Sequence, residues 1–291
     1  EDSLTEKFDA IKDALSSVEH WVAMDVTGCE VASHYLDFQT LIKQSLNDEI
    51  TGLRINDRDP LQILYTSGTT SKPKGVETSH LALFINTLAA AVELGVKPKM
   101  AGASVMPMFH CAQHLVSTTL MHVGGKVVIF RQFDPSEFLK IVEKEQLEFI
   151  FLLPLMWKAL LDVPEIDSYD LSSVKVGMYG MAPMDQPSLI RLKARFNCPF
   201  VLASGQTEMT PLATVFHDIW PEGILTTDQA VMNDQGDLLP DGEIGEIVWR
   251  APSVMTGYYK DPEATAEASN TAELIDLSNQ PSLTDQFNED F

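Results

Sequence analysis

The sequence predicts an α/β fold: a mostly parallel sheet layered with helices, with a small β appendage toward its C-terminal end. Two observations carry this. Between residues 61 and 203, short apolar runs alternate with segments of helical periodicity, the pattern of repeated strand–helix–strand crossovers. The runs are apolar almost throughout, as in Phe149–Leu153, which suits strands buried on both faces. The length of 291 residues agrees, being enough for about two domains or one large domain with an addition.

Taken in order, Leu4, Phe8, Ile11 and Leu15 recur at helical spacing and predict a helix over 4–18. His20–Val26 reads as a strand, Tyr35–Leu46 as a helix and the polar stretch 47–60 as a connector. Leu61–Thr66 is a strand that runs into a loop of Gly, Ser, Thr, Pro and Lys, after which Ser79 caps a helix continuing through Leu94. Then come strand Gly102–Met106, helix Cys111–His122, strand Lys126–Phe130, helix Pro135–Glu145, strand Phe149–Leu153 and helix Pro154–Leu161. Strand Val174–Met178, helix Gln186–Phe196 and strand Pro199–Ala203 close the alternation, so residues 1–220 form the α/β part. Over 221–260, Ala230–Asp237 and Gly242–Arg250 read as antiparallel strands joined at Asp-Gly turns. Residues 261–291 carry eight acidic residues and no basic one and read as a weakly ordered tail, in which Leu274, Ile275 and Leu277 could form a short helix.

Composition narrows the partners. With 42 acidic against 20 basic residues, the net charge of −22 argues against a grip on nucleic-acid phosphates or an anionic membrane surface. A nucleotide remains possible through a local site of N–H groups, hydroxyls and metal. No apolar run reaches the roughly 20 residues of a membrane helix, and the acidic start EDSLTEKFDA is no signal peptide. The start without Met is expected of a processed chain or a fragment. Cys29, Cys111 and Cys198 are too scattered for a disulfide framework, which predicts a reducing compartment, the cytoplasm. A homo-oligomer stays open.

Residues 65–76 read YTSGTTSKPKGV. Thr66, Ser67, Thr69 and Thr70 offer hydroxyls around Gly68, which lets backbone approach a ligand, while Lys72 and Lys74 bring positive charge and Pro73 stiffens the turn. Such a loop can wrap a polyphosphate, though it is no Walker loop, because Lys74 precedes Gly75. A plain solvent loop is the alternative. In ASGQTEMTP (203–211), Gly205 permits a tight exit from a strand, and Thr207 beside Glu208 at the strand's carboxyl end suits phosphate plus Mg²⁺. The same pair could merely cap the next segment. Gly180, Met181, Ala182 and Pro183 read as a strand-to-helix turn. His110 and His114 share a helix face, but no third zinc ligand is evident, so a cap or core role stands first. His20, His34, His80, His122 and His217 show no partner pattern and read as structural.

The loop at 65–76 resembles the phosphate-loop signature of the AMP-forming adenylating enzymes, and the resemblance continues in order through MPMFHCAQH (106–114), YGMAPM (179–184), SGQTE (204–208) and GEIGEIVWRAPSVMTGYYKDPEATAEA (242–268). It covers most of residues 1–268, and its last run is most similar to acyl-CoA synthetases, fatty-acid ligases ahead of aryl-acid ones. The resemblance implies ATP, Mg²⁺ and CoA as reactants and cofactor, with a fatty or other carboxylic acid as substrate. It implies that Thr66, Ser67, Gly68, Thr69, Thr70 and Lys74 hold phosphates, that Gly180, Met181, Ala182, Pro183, Gly205 and Gln206 line the adenine, and that Thr207 touches the α-phosphate. Glu208 would hold Mg²⁺, and Thr69, Glu208 and His110 would be catalytic, His110 guarding an acyl pocket whose wall includes Gly124 and Gly125.

The chain departs from the family at four places. Ser71 stands where the family usually has Gly, and the segment DIWPEGILTTDQA after His217 is shorter than usual. By the same resemblance, SNTAELID stands where an element whose Asp binds ribose is expected, and the small C-terminal lid domain with its adenylation lysine is expected to be absent from this chain. The expected function is ATP-dependent activation of a fatty or other carboxylic acid to acyl-CoA. The alternatives are a non-catalytic nucleotide- or acyl-binding remnant, or an adenylation domain that loads a carrier protein.

Overall fold

The computed structural model describes residues 1–45, 52–66, 72–217, 224–225, 228–240 and 242–273. The chain divides into two compact units, Glu1–Arg54 and Ile55–Phe291.

In the first unit, helix α1 (Thr5–Asp9) is flanked by single 3₁₀ turns at Asp2–Leu4 and Lys12–Ala14 instead of extending over 4–18. Leu4, Phe8 and Ile11 stay 39–48% exposed, so the apolar stripe gains little burial, and helices of this length are marginal without packing. Strand β1 (Trp21–Ala23) pairs in parallel with β2 (Tyr35–Asp37). Helix α2 (Phe38–Gln44) starts later than the expected Tyr35, because Asp37 is extended and its carboxylate accepts the Thr40 N–H at 2.7 Å as an N-cap. Asp2 is buried and accepts N–H bonds from Val26, Thr27 and Cys29, which pins the N-terminus to that loop.

The second unit opens on an antiparallel hairpin of β3 (Pro60–Thr66) and β4 (Lys74–Ser79). The strand before the Gly/Ser/Thr loop therefore belongs to this hairpin and not to the parallel sheet. KGVETS lacks the alternating apolar pattern of a strand, and its first three residues fall within the loop signature. Helix α3 (His80–Glu93) follows, with the Ser79 hydroxyl accepting the Ala82 N–H at 3.2 Å, the expected cap. Next come β5 (Ala101–Ser104), α4 (Cys111–His122), β6 (Lys126–Ile129), α5 (Pro135–Glu145), β7 (Phe149–Phe151), α6 (Pro154–Leu161), β8 (Val176–Gly180), α7 (Gln186–Phe196) and β9 (Phe200–Gly205). Asp134 and Asp185 cap α5 and α7, and Pro at the first turn starts α5, α6 and α7.

Strands β9, β8, β7, β5 and β6 lie side by side in parallel. Two further strands, β10 (Leu212–Phe216) and β11 (Ile224–Leu225), extend the sheet antiparallel to seven strands beyond β9. One core layer, under α5, α6 and α7, holds Phe138, Leu139, Trp157, Leu160, Leu192, Phe196 and Phe200. The opposite layer, under α3 and α4, holds Leu94, Leu115, Leu120, Phe151, Met178 and Val201. Trp157 is wholly buried, stacks edge-on against Phe196 and Phe200, and donates its indole N–H to the Met178 carbonyl at 3.0 Å. Burying such a side chain stabilises by about 1.5–3 kcal/mol.

The appendage is a three-stranded antiparallel sheet of β12 (Asp228–Met232), β13 (Leu238–Leu239) and β14 (Glu246–Arg250). The expected strand Ala230–Asp237 breaks at Asn233, whose side-chain Oδ1 accepts the Gln235 and Asp237 N–H groups and turns the chain. A final strand, β15 (Gly257–Tyr258), pairs with β4. Helix α8 (Pro262–Glu273) occupies the start of the expected weakly ordered tail, its first turn set by Asp261 Oδ1 accepting the Ala264 N–H. Leu274, Ile275 and Leu277 lie outside the described residues.

Candidate functional site

The carboxyl ends of β5, β8 and β9 point the same way, and the loops leaving them meet there. The loop after β5 is shaped by Gln113, a fully buried side chain whose carbonyl oxygen accepts the Val105 and Met106 N–H groups at 3.1 Å. Its amide N–H donates to Ser117. This fixes the start of α4, where His110 is the N-cap and its Nδ1 accepts the Ala112 N–H at 3.2 Å. In a neutral ring the proton is then on Nε2, leaving one donor for another group. His114 instead bonds Gln62 of β3 through Nε2 at 2.6 Å, and burial pushes its pKa below the usual 6.5. Neither ring is arranged as half of a zinc pair, and among the described residues no three His, Cys, Asp or Glu side chains converge on a metal-sized position.

Strand β8 ends at Gly180, and Met181 follows with φ of 64°, half exposed. Strand β9 ends at Gly205, and the chain passes through an extended Gln206 into a 3₁₀ turn, Thr207–Met209, before β10 returns beside β9. Both glycines are dictated by backbone packing: a Cβ at Gly205 would collide with the Pro211 carbonyl, and one at Gly180 would come 2.7 Å from the Ala203 carbonyl oxygen. Asn86 of α3, 1% exposed, clamps this turn. Its amide donates to the Met209 and Leu212 carbonyls at 3.2 and 3.1 Å and accepts the Leu212 N–H at 3.3 Å.

A cavity of about 120 Å³ opens between these loops, lined by His110, Cys111, Leu115, Met178, Met181 and Gly205 among others. At its edge the Thr207 hydroxyl donates to Cys111 Sγ at 3.3 Å. Burial pushes the Cys111 thiol up from its usual 9.0, so it remains S–H at neutral pH.

Glu208 faces another way. Its Oε1 accepts the Tyr258 hydroxyl at 2.8 Å, and its backbone carbonyl accepts the Met255 N–H at 2.8 Å. The Lys74 ammonium sits 4.8 Å from the centre of the same Tyr258 ring. Burial and then the bond to Glu208 raise the Tyr258 phenol above its ordinary value of 10.0. With Oε1 engaged, Glu208 presents its second oxygen. A single carboxylate, with no further set of ligands beside it among the described residues, fits Mg²⁺ that takes most of its positions from phosphate and water better than a closed zinc site.

The structure therefore draws His110, Gly180, Met181, Gly205 and Thr207 to one cavity rim, and Lys74 and Glu208 to one tyrosine. Thr66 ends β3 opposite Lys74. Ser67, Gly68, Thr69, Thr70 and Ser71 lie outside the described residues. Ala182 and Pro183 are exposed and do not line the cavity, and Gln206 lines a separate recess with Glu208 and Tyr258. Gly124 and Gly125 do not line this cavity. They join the far end of α4 to the start of β6, which pairs with the start of β5, so they sit at the opposite end of the sheet from His110. Asn86, Gln113 and Tyr258 were not singled out from sequence; a polar side chain on an apolar helix face is the signal that Asn86 and Gln113 give.

Comparisons with known proteins follow the same residues. The family model for the AMP-binding enzyme matches residues 3–259. Feruloyl-CoA synthase of Amycolatopsis sp is 34% identical over 230 residues, covering 76% of this chain and 47% of that protein. A long-chain-fatty-acid–CoA ligase of Bacillus subtilis (strain 168) is 32% identical over 244 residues, 79% of this chain and 43% of that one. A solved long-chain-fatty-acid-CoA ligase from Archaeoglobus fulgidus superposes with a TM-score of 0.77 at 27% identity, covering 91% of this chain and 55% of that one. The chain thus spans about half the length of these relatives. No helix among the described residues is long and apolar enough to cross a membrane. With the family model matched over most of its length and relatives of 30% identity or more covering over two thirds of it, this chain belongs to the AMP-binding enzyme family, the adenylate-forming acyl-CoA ligases among them.

Proposed function

We propose that this chain carries the nucleotide and acyl half-sites for ATP-dependent activation of a carboxylic acid, a fatty acid in the first instance, through an acyl-adenylate to acyl-CoA. The carrying observation is the meeting of an apolar cavity with the Thr207–Glu208 turn at the ends of β8 and β9. An acid seated tail-first in the cavity brings its carboxylate to the rim, beside His110 and the Thr207 hydroxyl. One carboxylate oxygen attacks the α-phosphorus of ATP; the bond to the β-phosphate breaks and pyrophosphate leaves. The CoA thiolate then attacks the acyl carbonyl and releases AMP.

The residues of this chain contribute positioning and charge. The Nε2–H of His110 and the hydroxyl of Thr207 are donors for oxygens at the reacting end, and such donors act most strongly where charge accumulates. Lys74 supplies positive charge to phosphates leaving along the hairpin. Thr66, with Ser67, Gly68, Thr69 and Thr70, completes the phosphate contacts, and Gly180, Met181, Ala182, Pro183, Gly205 and Gln206 border the adenine. Glu208 would hold Mg²⁺, which neutralises phosphate charge when bound.

The replacement SNTAELID at 269–276 favours a second reading, a binding remnant that does not turn over. Pyrophosphate release from ATP with a panel of fatty acids, read beside calorimetric titration of ATP, tests the proposal. Acid-dependent pyrophosphate release supports activation, and ATP binding without release supports the remnant. Acyl transfer to a carrier protein but not to CoA would identify a carrier-loading domain.

A further inference from the structure

We infer that Tyr258 is a positioning residue that sets the Glu208 carboxylate and the Lys74 ammonium for a metal-bound polyphosphate. The inference rests on the placement of Mg²⁺ and phosphates proposed above. Tyr258 sits on β15, which adds to the phosphate hairpin through the pairs Gly257–Glu77 and Tyr258–Val76. The flanking backbone is tied to both halves of the site. Met255 N–H bonds the Glu208 carbonyl at 2.8 Å, Thr256 N–H bonds the Glu77 carbonyl at 2.8 Å, and Tyr259 N–H bonds the Gly75 carbonyl at 2.7 Å. The Tyr258 N–H itself donates to the Thr265 hydroxyl of α8 at 2.8 Å. A short segment thus joins hairpin and turn, and one side chain in it touches the charged group of each.

The physical effect differs for the two charges. A phenol donating to Oε1 fixes the plane of the carboxylate and leaves Oε2 as the oxygen a metal meets; groups that hydrogen-bond a ligating side chain in this way commonly govern its metal affinity. The ring face attracts the Lys74 ammonium, which restrains a side chain otherwise rich in rotamers. Lys74 and Glu208 form no ion pair with each other among the described residues. Each instead contacts Tyr258, Glu208 at the hydroxyl and Lys74 at the ring face.

Tyr258→Phe separates these effects, because it removes the donor and keeps the ring. Calorimetric titration of ATP into the 291-residue chain, once with Mg²⁺ and once with EDTA, reads the outcome. For Tyr258→Phe, affinity in Mg²⁺ should fall about tenfold or more, while affinity in EDTA stays within about twofold of wild type, a selectivity a merely structural role would not produce. Tyr258→Leu, which also removes the ring, should weaken ATP in EDTA as well, by about threefold. Glu208→Gln should abolish the gain from Mg²⁺. If Glu208→Gln loses that gain and Tyr258→Phe keeps it, the inference is wrong and the metal assignment stands. If Glu208→Gln keeps the gain, the metal assignment fails and takes the inference with it. Absence of ATP binding by the wild-type chain overturns the nucleotide reading and the inference together. Equal behaviour of the Leu and Phe variants in EDTA overturns the role assigned toward Lys74.

Discussion

Replacing Asn86 by Leu should unseat the turn that carries Thr207 and Glu208 without opening a cavity. The two side chains branch alike, so the change removes polarity and largely keeps shape. Three hydrogen bonds disappear, to the carbonyls of Met209 and Leu212 and from the Leu212 N–H, all buried. At about 1 kcal/mol net for each, the loss is about 3 kcal/mol. Buried main-chain carbonyls that lose a donor away from water add to this cost. That is a large share of the roughly 5–15 kcal/mol that holds a typical domain together. The assay is urea unfolding followed by tryptophan fluorescence, with the native spectrum first checked for a folded variant. ATP affinity should fall in the folded variant, since the Thr207–Met209 turn hangs from this side chain. A stability change below about 1 kcal/mol with unchanged affinity would refute the clamp and mean that the turn is held by its own backbone bonds.

Burial holds the His114 pKa down, so the folded state resists a proton that the unfolded chain accepts. This contribution is present above pH 6.5 and is lost as pH falls from there through the folded-state value; denaturation midpoints at pH 7.5 and 5.5 should diverge in wild type and converge in His114→Gln. Gly205→Ala should cost about 3 kcal/mol or more, because its methyl has no place beside the Pro211 carbonyl, and a near-neutral thermal shift would mean that β9 and β10 separate readily. The cavity of about 120 Å³ holds roughly four methylene-sized groups. Affinity for straight-chain acids measured by calorimetry should therefore rise by about 0.8 kcal/mol per methylene up to about six carbons and then level off; a steady rise to twelve carbons would show that the cavity continues.

Much of the central fold was legible because local signals agreed with tertiary need. Ser79 caps a helix in the sequence and in the structure, Pro135 opens α5 behind Asp134, and Phe149–Phe151 is apolar because helices cover both of its faces. The misses are equally physical. Lys74–Ser79 looks like loop because four of its six residues are polar, yet its backbone pairs with Pro60–Thr66 on one side and Gly257–Tyr258 on the other. Leu212–Phe216 follows a proline and a turn too closely to announce itself as a strand. Asn86 and Met209 are far apart in sequence, and so are Tyr258 and Glu208; nothing in residue spacing reports such a meeting. Gly180 and Gly205 carried the opposite lesson. Their positions in the family signature were legible, while the reason visible in the structure is packing of neighbouring strands.

The late third strand of the β3–β4 hairpin bears on how the protein is made. During synthesis β3 and β4 leave the ribosome early, and a two-stranded ribbon is at best marginally stable in water. Its completing strand, Gly257–Tyr258, arrives only after the whole seven-stranded sheet and the appendage have been translated. Pairings across such a span of chain form slowly and depend on the rest being in place. A nascent chain therefore lays down its parallel sheet before the β3–β4 hairpin gains its third strand.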